Sequence, residues 1–167
     1  LYKELDTFWF FMHKKSLIPP FEGKFRSILL FGPPGAGKGT LGRSLSSVGS
    51  HYHLSSGDIF RGLPIDSPAG KIVHQYTSKG HLVPDEVTIE IWYYYMSGLI
   101  ATNQYYPHEQ LLLLDGIPRT RKQVQFLEKH ISVKKLVVLE VKDQKRLFER
   151  LQKRALIERR QDDLDPK

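Results

Sequence analysis

The sequence has 167 residues, 40% of them apolar and 26% charged, with 25 Lys and Arg against 18 Asp and Glu for a formal net charge of +7. This is the length and composition of a single globular domain with a core of its own; the absence of cysteine excludes disulfides and Cys-bound zinc, and no apolar run approaches the ~20 residues of a membrane span. A basic surface, a nucleic-acid partner or an arginine-lined cleft for small polyphosphates would each account for the charge, and arginines beside the phosphate-type motifs described below favour the cleft over nucleic acid.

Residues 1–24 read as an N-terminal extension ahead of a domain over 25–167. Its aromatic run Phe8–Met12 is too short for the core of a signal peptide, and Glu4 and Asp6 stand where positive charge is needed. Leu1 is not methionine, as expected where numbering starts inside a longer gene product. Residues 26–31 (RSILLF) form a short apolar run that predicts a buried strand, followed by a glycine-rich loop and a helix over Lys38–Ser47. Residues 51–54 are a weaker strand. No strand signal appears over 58–103; Pro68 is expected to open a helix that runs to Lys79 and stops at Gly80. Asp85 is expected to cap a helix through Ile89–Tyr95, whose aromatic run Trp92–Tyr95 reads as packing material. Leu111–Leu114 is a buried strand ending at Asp115. Thr120 and Gln123 have capping-box spacing, which starts a helix running to about Lys129. Lys135–Val141 reads as another strand, and Asp143 caps a last helix carrying Leu147, Leu151 and Arg154.

Apolar strands alternating with helices predict an α/β fold with a parallel sheet covered on both faces. Ligands in such folds bind at the carboxyl ends of the strands, so chemistry is expected in the loops after residues 31, 54 and 114. The first of these, Gly32–Thr40, reads GPPGAGKGT. Its backbone N–H groups can form an anion nest, the following helix adds its positive end, and Lys38 supplies a point charge for β- and γ-phosphates. The hydroxyl residue Thr40 comes one position later than in the strict P-loop pattern, after Gly39.

Four further motifs follow in order: His53–Arg61 (HLSSGDIFR), Gly80–Glu86 (GHLVPDE), Asp115–Gln123 (DGIPRTRKQ) and Arg150–Asp163 (RLQKRALIERRQDD). Together with the loop, they resemble adenylate kinases and related nucleoside monophosphate kinases over about residues 26–167. The resemblance implies a P-loop three-layer fold with four strands in this chain, a fifth beyond the C-terminus, a monophosphate-binding insertion over 56–85 and a short lid over 154–160. It implies reversible, Mg²⁺-dependent transfer of the ATP γ-phosphoryl to a monophosphate; a cytoplasmic protein with no membrane or nucleic-acid partner is expected, and a monomer is the default expectation. By resemblance, Gly35, Ala36, Gly37, Lys38, Gly39, Thr40, Arg150 and Arg154 bind ATP. Ser56, Gly57, Arg61, His81, Leu82, Val83, Gly116, Ile117, Pro118, Arg119, Gln123 and Arg160 bind the monophosphate. Lys38, Arg119, Arg150, Arg154 and Arg160 carry the charge stabilisation that a loose phosphoryl-transfer transition state needs. Asp115 stands near Mg²⁺ through water rather than as a direct ligand.

Ser56 and Gln123 occupy positions that favour AMP, because a Gln amide offers both a donor and an acceptor to the adenine edge; Gln123 is also accounted for by the capping box. UMP- or CMP-directed relatives tend to carry a smaller residue at the first position and Asn near the second, and that acceptor class remains the alternative, as does a nucleotide-binding module without turnover. The segment Ala155–Arg159 lacks the glycine content usual in the family's short lids.

Overall fold

The structure is a computed structural model and describes residues 21–79 and 81–158. Among these, four strands make one parallel sheet in the order β2-β3-β1-β4, with β1 at Phe25–Phe31, β2 at His51–Ser55, β3 at Leu111–Asp115 and β4 at Ile131–Val138. Six helices connect and flank them: α1 Lys38–Ser46, α2 Ser56–Gly62, α3 Pro68–Thr77, α4 Asp85–Ala101, α5 Arg121–Leu127 and α6 Gln144–Glu158. None of the described helices is long and apolar enough to cross a membrane.

The core follows from the apolar runs. Leu112, Leu113 and Leu114 of β3 are fully buried, because β3 lies between β1 and β2 and has helices on both faces. On one face Ile28, Leu30 and Leu113 pack with Leu41 and Leu45 of α1. The larger face is filled by α4, whose Ile89, Ile91, Trp92, Met96 and Leu99 are all buried. Phe21 stacks on Phe25 at 4.8 Å between ring centroids, and Phe25 meets Trp92 edge-on at 5.9 Å. The expected packing role of the aromatic run thus holds for Trp92, while Tyr94 and Tyr95 face outward.

Three local expectations need correction. Strand β4 begins at Ile131, four residues before the expected start, because its pairing with β1 starts at Phe25↔Ile131 and buries Ile131 under the sheet edge. Asp85 is the first residue of α4 rather than its cap; Pro84 holds the cap position and the Asp85 carboxylate turns elsewhere. The capping box at α5 is half formed. Thr120 Oγ1 accepts from the Gln123 backbone N–H at 3.1 Å, but Gln123 Oε1 accepts from Arg119 N–H rather than from Thr120.

Candidate active site

Two glycines at positive φ, which L side chains rarely adopt, shape the loop after β1. At Gly32, with φ of +142°, an added Cβ would stand 2.5 Å from the Leu139 carbonyl oxygen. At Gly35, with φ of +79°, it would stand 3.1 Å from Leu147 and 3.3 Å from Leu151. Helix α6 therefore lies directly on the loop. Asp143 Oδ1 accepts from the Arg146 N–H at 3.1 Å and starts that helix, as expected. Leu147, Leu151 and the buried Ala155 face inward at i, i+4 and i+8.

Lys38 opens α1 and folds its side chain back over the loop. Its Nζ donates to the carbonyls of Gly32 at 2.9 Å and Pro33 at 3.1 Å, and stands 4.0 Å from Asp115 Oδ1. Burial pushes the Lys38 ammonium below its ordinary range; Asp115 opposes this, and the positive charges of Arg154 and Arg119 add to it. Asp115 ends β3 next to β1, and its carboxylate lies between Lys38 and His53. Beyond it, Gly116 takes a φ of +80°. An added Cβ there would come within 2.7 Å of Ser56 Oγ, so the DGIPR turn and the start of α2 are in contact. The Ile117–Pro118 bond is cis, and Arg119 Nε donates back to the Gly116 carbonyl at 2.7 Å, leaving its exposed guanidinium at the mouth of the site.

The expected monophosphate side gathers at the same strand ends. Ser56 is buried, and Gly57 leaves room for the Arg61 guanidinium, which would lie 2.8 Å from an added Cβ. Arg61 Nη2 donates to Asp58 Oδ1 at 2.6 Å. Gln123 is buried, whereas His81 and Leu82 are exposed and Val83 is half-buried.

Lys38, Asp115, Arg119 and Arg154 thus come together, with Ser56, Gly116 and Gln123 beside them. Arg150 is exposed one turn before Arg154. Arg160 lies outside the described residues. The segment expected to form the lid is still helical through Glu158, and Ala155 within it is buried. Among the described residues no group of three His, Asp or Glu side chains could cage a metal.

Two residues of the site escaped sequence reasoning. His53 Nε2 is buried without a hydrogen-bond partner, 3.6 Å from Asp115 Oδ2. Its ring lies on α1 at Gly42, where an added Cβ would run into it. The signal was available in the strand pairing. His53 sits opposite Leu113, so it shares a sheet face with Asp115 two positions on. The other is Asp85, whose Oδ1 accepts from Gln123 Nε2 and whose Oδ2 accepts from Thr120 Oγ1, both at 2.8 Å. Nothing in the local sequence marks a bond across 35 or more residues.

The adenylate kinase family model matches residues 30–165. The chain is 42% identical over 109 residues to an adenylate kinase of Clostridium novyi, covering 63% of this chain and 46% of the relative. It is 37% identical over 123 residues to one of Ruminiclostridium cellulolyticum, covering 70% and 54%. To one of Flavobacterium psychrophilum it is 37% identical over 145 residues, covering 83% and 72%. The chain spans about half the length of the first two relatives.

Proposed function

The chain belongs to the adenylate kinase family, and from that membership we propose that it is a nucleoside monophosphate kinase converting ATP and AMP to two ADP. The observation that carries the reading is Lys38 Nζ folded back over the loop onto the Gly32 and Pro33 carbonyls and 4.0 Å from Asp115 Oδ1, with Arg154 and Arg119 near enough for their charges to lower its pKa. Cations gathered near the phosphate loop suit a transition state whose charge spreads over the transferred phosphoryl oxygens.

In this reading an AMP phosphate oxygen attacks the γ-phosphorus, and the bond from that phosphorus to the β,γ-bridging oxygen breaks. The electron pair leaves with ADP. Residues 35–40 hold the ATP phosphates through backbone N–H groups, with Lys38 on the β- and γ-oxygens. Arg61 and Arg119 hold the AMP phosphate. Arg154, with Arg150 and Arg160, approaches from the lid segment over 154–160, whose closure keeps water from accepting the phosphoryl group. Gly57, Gly116, Ile117 and Pro118 shape the wall between the nucleotides, and residues 81–83 line the base. Ser56 and Gln123 read adenine.

Mg²⁺ bound with ATP would neutralise phosphate charge. The Asp115 carboxylate beside the loop, with no metal cage around it among the described residues, fits an ion that keeps most of its waters. A cytoplasmic monomer serving nucleotide biosynthesis completes the reading.

The test is a coupled assay of the purified chain with AMP, CMP, UMP and GMP as acceptors. ADP formation with AMP is expected to dominate, and Lys38→Ala to lower kcat by at least ~100-fold, the scale of losing one fixed charge-stabilising donor, with its unfolding temperature kept. Absence of turnover with every acceptor overturns the proposal.

A further inference from the structure

We infer that Asp85 is a specificity-determining positioning residue: it locks the Gln123 side-chain amide in one orientation, so that the acceptor site takes a 6-aminopurine monophosphate and rejects a 6-oxopurine one. The inference rests on the proposal that this site holds AMP.

A glutamine amide has a donor end and an acceptor end of nearly the same shape, and only its partners decide which end lies where. The partners of Gln123 are of opposite kind. Its Nε2 donates to Asp85 Oδ1 at 2.8 Å, and a carboxylate only accepts. Its Oε1 accepts from the Arg119 backbone N–H at 2.7 Å, and that group only donates. Turned over, the amide would set oxygen against carboxylate and N–H against N–H. Both clashes would fall on a side chain that is 6% exposed, where water cannot relieve them. Asp85 is itself held, because its second oxygen accepts from Thr120 Oγ1 at 2.8 Å.

These bonds use one hydrogen of Nε2 and one lone pair of Oε1, which leaves one of each. An adenine edge offers the N6 amino group as donor beside N1 as acceptor. It matches an amide presented in fixed order, N6–H to Oε1 and N1 to Nε2. Hypoxanthine and guanine present the reverse, O6 as acceptor beside N1–H as donor. A mobile amide could turn to suit either base, whereas one pinned by Asp85 and Arg119 cannot. The placement agrees, since Asp85 is two residues after Val83 and Gln123 is four residues after Arg119.

Equilibrium binding of AMP and of inosine monophosphate to the full chain, by calorimetry, tests this alongside the same measurement on Asp85→Ala and Asp85→Asn. The unmodified chain is expected to prefer AMP by at least ~10-fold, the equivalent of one to two well-placed hydrogen bonds. Asp85→Ala should bring the ratio down by about tenfold on the same scale, with ATP affinity unchanged. Asp85→Asn can turn either its oxygen or its NH₂ toward Gln123, should lower the ratio part of the way, and serves as the folded variant if Asp85→Ala does not fold. A purely structural role would weaken both monophosphates equally and leave the ratio alone. No AMP preference in the unmodified chain, or an unchanged ratio in the folded variants, overturns the inference. AMP preferred in binding but never phosphorylated would instead overturn the kinase reading and leave the role of Asp85 intact.

Discussion

At the level of single residues, Lys38 carries an electrostatic signature at the phosphate loop. Its folded-state value is lowered by burial, and Arg154 and Arg119 push the same way against Asp115. Between that lowered value and the ordinary 10.5 of lysine, the unfolded chain holds more protons than the folded one. The Lys38 contribution to stability therefore rises with pH across this window, the opposite of a lysine held in a strong ion pair. Polyphosphate reverses the balance by drawing the proton back onto Nζ. ATP affinity is expected to decline with pH starting below the range of an ordinary lysine, and binding there should take up protons. Calorimetry in two buffers of different ionisation enthalpy measures this. Proton uptake should grow as pH rises toward the ordinary lysine range, because the lowered Lys38 loses its proton there before ATP returns it, and it should vanish in Lys38→Met. Equal uptake in that variant would move the titration to another group.

Among the elements, α1 shows how one missing side chain sets the position of another. Gly42 lies inside this helix, where Ala would normally stabilise by up to ~1 kcal/mol. The His53 ring fills the space an alanine methyl would need, and it is buried beside Asp115. Overpacking of this kind costs ~1–3 kcal/mol, so it outweighs the propensity gain. Gly42→Ala is expected to destabilise by about 1 kcal/mol or more, and to become neutral or stabilising in a His53→Ala background. Urea unfolding of the four variants gives the coupling directly; additive effects would mean the helix yields without involving His53. The same element explains what the sequence disclosed. Strand–loop–helix over 26–47, the buried run Leu111–Leu114 and the start of α5 were all legible, because each is a local pattern of apolar periodicity or turn chemistry. His53 and Asp85 were not. The first depends on the pairing of β2 with β3, and the second on contact between α4 and α5. The start of β4 was missed although Ile131–Lys134 alternates apolar and polar, because the run Leu136–Val138 carried the stronger apolar signal and the earlier residues are fixed as strand by their pairing with β1.

At the scale of the molecule, the two outer strands of the described sheet differ. Strand β2 is five residues long and packs against α1. Strand β4 is eight residues long, lies beyond β1 with no described strand on its far side, and exposes Val133, Leu136 and Val138 by 47%, 63% and 63%. In a parallel α/β sheet such residues are normally covered, and the family resemblance implies a fifth strand beyond residue 167; among the described residues, a long outer strand invites pairing with another chain. Two features of β4 oppose that. Lys134 and Lys135 are exposed in the middle of the strand, and the pairing with β1 skips Lys134, so the strand carries a local irregularity. Charge and irregularity on an edge strand are devices that discourage edge-to-edge association. Replacing both lysines with valine leaves the β1 ladder intact and removes the charge. The Lys134→Val/Lys135→Val variant is expected to self-associate at concentrations where the unmodified chain does not, with strand content by circular dichroism rising as it does so. Sedimentation velocity over a concentration series checks this. Indistinguishable profiles would show that the irregularity alone protects the edge. Added salt gives an independent check on the charge, because screening on a ~10 Å scale at 0.1 M should shift the unmodified chain toward the behaviour of the variant and leave the variant itself unchanged.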